Sequence, residues 1–178
     1  MEKQLINLTS GFLRMNRLVL FLLIAFPITL RFYSPPTEDY PVINHLLGSI
    51  GGICLLSWLF AIGHRANEKL ILQGINLGVF KYFNWCVVLV VASYILGVFT
   101  TTDVHTIVGR VHLNYVTPIY LPIIFLCSFL ATMIIAAKAL VSAELNKEVG
   151  LGEYFTTILL MMFAGIGLWF IQPRVQNI

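Results

Sequence analysis

The sequence predicts an all-α protein: a polytopic transmembrane helical bundle of five spans with its N-terminus cytoplasmic. Three observations carry that reading. Of 178 residues, 58% are hydrophobic and 11% charged, against roughly 45–50% apolar and about 25% charged in soluble domains. The mean hydropathy is +0.88. Five apolar stretches each come near the roughly 20 residues that cross a bilayer. This composition excludes a disordered chain and an ordinary soluble enzyme. With neither an internal repeat nor a low-complexity tract, it predicts one transmembrane helical domain over residues 1–178.

Span one is expected at about 15–33, with Arg17 and Arg31 snorkelling to opposite headgroup layers and Pro27 kinking the helix. Lys3, Arg14 and Arg17 before it resemble the positive region of a secretory signal. The Phe32-Tyr33-Ser34-Pro35-Pro36 segment offers no small-x-small cleavage site, so an uncleaved first helix is expected. Span two, 42–63, carries His45 near its start and His64 just past its end, about 28 Å apart at helical rise. Span three, 82–100, opens on the interfacial belt of Tyr82, Phe83 and Trp85. Span four, 113–137, holds Pro118 and Pro122 on one face and should bend in its first half. Span five, 154–171, ends in Trp169 and Phe170 and is stopped by Gln172-Pro173-Arg174. Residues 1–14 and 67–81 carry helix-spaced apolar residues suited to the membrane surface. Gly74 and Gly78 weaken a helix in the second, so a solvated loop is the equal alternative there. Gly150-Leu151-Gly152 reads as a turn into span five, because it lacks the third glycine and the strand of a dinucleotide fingerprint.

Orientation follows from the Lys/Arg distribution. With the N-terminus inside, eight basic residues (Lys3, Arg14, Arg17, Arg65, Lys69, Lys81, Lys138, Lys147) lie on the cytoplasmic side and three (Arg31, Arg110, Arg174) outside. The net charge of +3 is therefore a topology signal, and no nucleic-acid partner is expected. The expected surroundings are the lipid bilayer of a bacterial-type inner membrane, with other membrane subunits or a second copy as partners. Cys54, Cys86 and Cys127 sit singly in apolar stretches and read as packing residues.

No Asp, Glu, Lys or Arg occupies the middle of a predicted span, which disfavours ion-coupled transport. Polar chemistry gathers instead on the predicted outer face, at His45, His105 and His112 with Glu38, Asp39, Asp103 and Arg110. Imidazole and carboxylate are ligands for zinc or copper, and two histidines from different helices can hold a b-type haem. If 104–112 is helical with Asp103 as its cap, His105 and His112 lie about 10 Å apart along the axis, too far to share one ion. His45 with His112 is the preferred haem pair, and His45, His105, His112 and Asp103 are the alternative metal ligands. The chain is similar to four-helix membrane cytochromes in size and in having histidines near helix ends. His64, alone on the inner face, allows one outer haem at most.

Gly48 and Gly52 form a small-xxx-small face on span two, and Gly165 belongs to a second close-approach patch on span five. Phosphate loops, nucleophile triads and HExxH are absent. The leading expectation is therefore a non-catalytic membrane subunit or scaffold that associates through its small-residue faces. The alternatives are a haem- or metal-binding electron-transfer protein using the outer histidines, and a small-molecule permease or pore along the proline-bearing span four.

Overall fold

A computed structural model describes residues 11–33, 41–101 and 120–178. Among these the chain is all-helical. A helical turn at 11–14 precedes α1 (Arg17–Tyr33), α2 (Pro41–Leu72), a 3-10 segment (Gly78–Tyr82), α3 (Phe83–Thr101), α4 (Tyr120–Leu145), α5 (Leu151–Met162) and α6 (Ala164–Gln176). Among the described residues three helical segments are long and apolar enough to cross a membrane: Gly48–Leu72, Gly78–Gly97 and Tyr120–Leu145. The chain divides into two compact units, one of residues 1–81 with 133–178 and one of residues 82–132.

In the first unit α1 starts on Asn16, whose side-chain oxygen accepts from the Leu18 N–H at 3.0 Å and so satisfies a donor the helix leaves free. α1 lies against α2, and the closest approach falls on Gly51. A Cβ placed there would lie 2.8 Å from Ile28 Cγ1, 3.1 Å from the Ile24 carbonyl oxygen and 3.4 Å from Pro27 Cβ. Gly51 meets α1, and a Cβ at Gly52 would meet nothing within 4 Å.

The second span is predicted to end at Gly63, but α2 continues to Leu72. Hydropathy falls beyond Gly63 while helix-forming residues such as Ala66, Glu68, Lys69 and Leu70 persist, and the backbone follows propensity rather than membrane thickness. The helix closes on Gly74, whose φ of +73° suits the left-handed position, and the Ile75 N–H donates to the Leu70 carbonyl at 2.9 Å. α4 ends the same way, with Asn146 at φ +52° and the Lys147 N–H on the Ser142 carbonyl. These two ends pack together: Ala66, Leu70, Leu77, Ala139 and Ala143 form a buried cluster, flanked by Ile75, Phe80 and Ile178. Alanines on both helices permit the close approach.

The fifth apolar stretch departs most from expectation. In place of one helix over 154–171 there are two, α5 and α6, broken at Phe163 (φ −94°, ψ 60°). The Phe163 N–H closes α5 on the Leu159 carbonyl, and its own carbonyl accepts the first bonds of α6, from Ile166 and Gly167. The chain doubles back so tightly that a Cβ on Gly167 would overlap the Leu160 carbonyl. With 12 and 13 residues, the arms are about 18 and 20 Å long, short of the roughly 30 Å hydrocarbon layer. Pro173, expected to stop the helix, lies inside α6, which runs on to Gln176.

In the second unit α3 covers the predicted third span almost residue for residue. Tyr94 meets Phe125 at 6.5 Å between ring centroids, and Phe125 stacks on Phe129 at 6.0 Å. The hydroxyl of Ser93 bonds the carbonyl of Leu89 one turn back. That of Thr132 bonds the Ser128 carbonyl, so these two hydroxyls are satisfied within their own helices. Pro122 falls in the first turn of α4 as described, where a missing N–H is tolerated, and Pro118 lies outside the described residues.

Candidate functional site

Of the predicted ligands, the His45 backbone belongs to α2, while Asp103, His105 and His112 lie outside the described residues. Among the described residues no three of His, Cys, Asp and Glu gather into a group able to hold a metal. His64 is buried between the rings of Phe60 (4.3 Å) and Phe80 (5.6 Å), as a packing residue of the first unit. A Cβ at Gly165 would stand in ordinary contact with Phe21 and Ala25 of α1, so its close approach serves packing within the unit.

The structure instead gathers polar chemistry at one end of the first unit, around α6. Gln172 is fully buried (0% exposed). Its Oε1 accepts the indole N–H of Trp58, itself 0% exposed, at 2.9 Å. Its Nε2 donates to the carbonyls of Leu13 (2.9 Å) and Phe12 (3.0 Å). One turn on, Gln176 Nε2 donates to the Leu13 carbonyl at 3.1 Å. The helical turn at 11–14 ends with carbonyls that have no partner of their own, and two glutamines at i, i+4 on one face of α6 supply the missing donors. The same contacts explain why the helix persists through Pro173: residues on both sides of the proline are pinned.

Beside this neutral cluster lies a charged one. The Arg174 guanidinium grips Glu144 with two bonds, Nε to Oε1 at 2.8 Å and Nη2 to Oε2 at 2.6 Å, and its Nη1 donates to the Thr157 hydroxyl at 3.1 Å. Planar two-point pairing of this kind fixes geometry as well as charge. It joins α4, α5 and α6 at one point, and Thr157 and Arg174, 17 residues apart in sequence, meet because the chain reverses between them. Lys138 pairs with Glu148 at 2.6 Å and Gln73 bonds Asn146, tying α2 and the α4–α5 connection to the same end.

Lys147 pairs with Glu153 at 2.7 Å. The hydrogen bond from Lys147, with a second from the Gly150 N–H at 2.9 Å, holds the Glu153 carboxyl below its ordinary value of 4.5. A depressed carboxyl contributes stability above its unfolded value and loses it as pH falls through the folded one. The difference in thermal midpoint between the native chain and Glu153→Gln should therefore be present at neutral pH and close as pH falls below about 4.5. An unchanged difference at pH 3 would show that the ionised carboxylate contributes nothing.

These contacts fasten helices to one another, and sequence reasoning pairs none of the residues that make them. Gln172 and Arg174 read there as the stop and the outer flank of span five. The signal available is the pair Gln172 and Gln176, one turn apart on the face of an otherwise apolar helix. Among the described residues the fold and these fasteners define an all-helical protein with helices long and apolar enough to cross a membrane and apolar surface suited to lipid. No family model, curated protein or solved structure matches the chain.

Proposed function

We propose that this chain is a non-catalytic integral membrane subunit or scaffold. It sits in a bacterial-type inner membrane with the N-terminal segment cytoplasmic, and associates with a second copy or a larger membrane complex. The observation that carries the reading is the state of α2: one glycine is consumed by α1 and its neighbour is left open. A Cβ at Gly52 would meet nothing within 4 Å, and the residue stands beside Ile53, 61% exposed, on a surface where another helix can approach closely. The polar side chains around Gln172 and Arg174 support it, since they are occupied in holding this chain's own helices together. The surplus of Lys and Arg on the N-terminal side supports the orientation.

Two adjacent substitutions test the reading. Gly52→Leu should leave the stability within about 0.5 kcal/mol of the native chain, yet lower the mass of the purified particle in mild detergent. Gly51→Leu should destabilise the α1–α2 pair itself, because its side chain meets the Ile24 carbonyl and Ile28. A particle mass that Gly52→Leu leaves unaltered removes this face as the contact.

A further inference from the structure

We infer that α5 and α6 form a re-entrant hairpin that enters one leaflet from the side of residues 12–15 and turns near the bilayer midplane. It exposes its tip to acyl chains and returns residues 172–178 to the side it came from. Four observations converge. The arms are too short to cross, with the reversal at Phe163 between them. From Tyr154 to Pro173 there is no charged residue, and the charges Lys147, Glu148, Glu153 and Arg174 all stand at the open end. At the closed end the apolar side chains point outward: Met162, Phe163, Ile166 and Phe170 are exposed, Phe163 by 65%, while Met161, Leu168 and Ile171 face inward.

The fourth observation sets the depth. α6 runs antiparallel to the first half of α1: Gln172 is bonded at Leu13, and Gly165 lies against Phe21 and Ala25. Ala25 is eight residues into the membrane from Arg17, about 12 Å at helical rise, and the midplane of the hydrocarbon is about 15 Å from its edge. The tip thus reaches half depth beside a helix that continues across. Lipid is the occupant because charge ends where the arms leave the headgroups and aromatic and aliphatic groups begin. Backbone folding back at this depth is tolerated, since both arms keep their internal hydrogen bonds and pack on protein. With Arg174 returned to the inner side, the basic residues divide nine to two rather than eight to three, a sharper bias than five crossings give.

The hairpin is independent of the proposed association and is tested without it. In the full chain with Cys54, Cys86 and Cys127 replaced by Ala, single cysteines at Lys3→Cys and Asn177→Cys are probed in intact cells with a membrane-impermeant maleimide. Matching accessibility at the two positions is expected; labelling from opposite sides would overturn the hairpin. For depth, nitroxide-labelled Phe163→Cys, and Ile166→Cys should the hinge variant not fold, are placed in phosphatidylethanolamine/phosphatidylglycerol vesicles. Strong relaxation by oxygen with little by an aqueous nickel chelate is expected. Strong relaxation by nickel would lay the pair flat on the surface, and protection from both reagents would assign the tip to a protein partner; either result sinks the proposal.

Discussion

Gly167→Ala should open the C-terminal helix pair, while Gly165→Ala, two residues away, should be close to neutral. The contrast follows from what each new Cβ meets. At Gly165 it would rest 3.8 Å from the Phe21 ring and 3.9 Å from Ala25 Cβ, ordinary contact distances. Alanine also favours the helix by up to about 1 kcal/mol over glycine. At Gly167 the new atom would overlap the Leu160 carbonyl, and backbone hydrogen-bonded within α5 has no rotamer through which to give way. Overpacking against side chains usually costs about 1–3 kcal/mol; against fixed backbone the loss should be at the top of that range or beyond. Opening the pair also separates Arg174 from Thr157, so the damage spreads to the contacts that hold α4. Thermal unfolding of the two variants in detergent checks this. Equal midpoints for the two alanines would show that the reversal at Phe163 is not as tight as described.

The sequence makes the composition of this fold plain and its facing obscure. α3 lies within a residue of the third predicted span because Tyr82 and Trp85 mark its start and an unbroken apolar run defines its body. α2 outruns its prediction because hydropathy reports what lipid tolerates, and the backbone extends as far as propensity and a Gly74 cap allow. α5 and α6 read as one rod in the sequence because no proline or glycine stands at the break; Phe163 does, and the glycine that permits the reversal, Gly167, follows it by four residues. The close-approach patch there is recognisable by type, but its tightest partner is the chain's own Leu160. Helices apolar around most of their circumference carry little signal of which side meets a neighbour, so spacing alone selects Gly48 and Gly52 and passes over Gly51. The Trp58–Gln172 bond joins residues 114 apart, and only the packed helices bring them together.

Gln172→Leu should be the most damaging side-chain truncation at the polar end, although it substitutes an apolar residue of similar size. Hydrogen bonds between helices in membrane proteins are individually weak, averaging about 0.6 kcal/mol, so losing bonds alone would predict a small effect. Most of the cost lies in what the substitution leaves behind. The Trp58 N–H is fully buried and loses its acceptor, and the Phe12 and Leu13 carbonyls lose the donor that Gln172 supplied. An orphaned buried polar group costs about 1–3 kcal/mol, and Gln176 can compensate at Leu13 only. A loss of about 2–4 kcal/mol is therefore expected, centred on the junction of residues 11–15 with α6. The sign of the second step follows in the same way. Trp58→Phe in the native chain orphans the Gln172 oxygen, but in the Gln172→Leu chain it removes a donor that has no acceptor, so the double variant should be more stable than the two single losses add to. The double-mutant cycle from thermal or denaturant unfolding in detergent reads this directly. Strict additivity would mean that the Trp58–Gln172 contact does not hold the two helices, and the fastening of residues 11–15 would then rest on the backbone carbonyls alone.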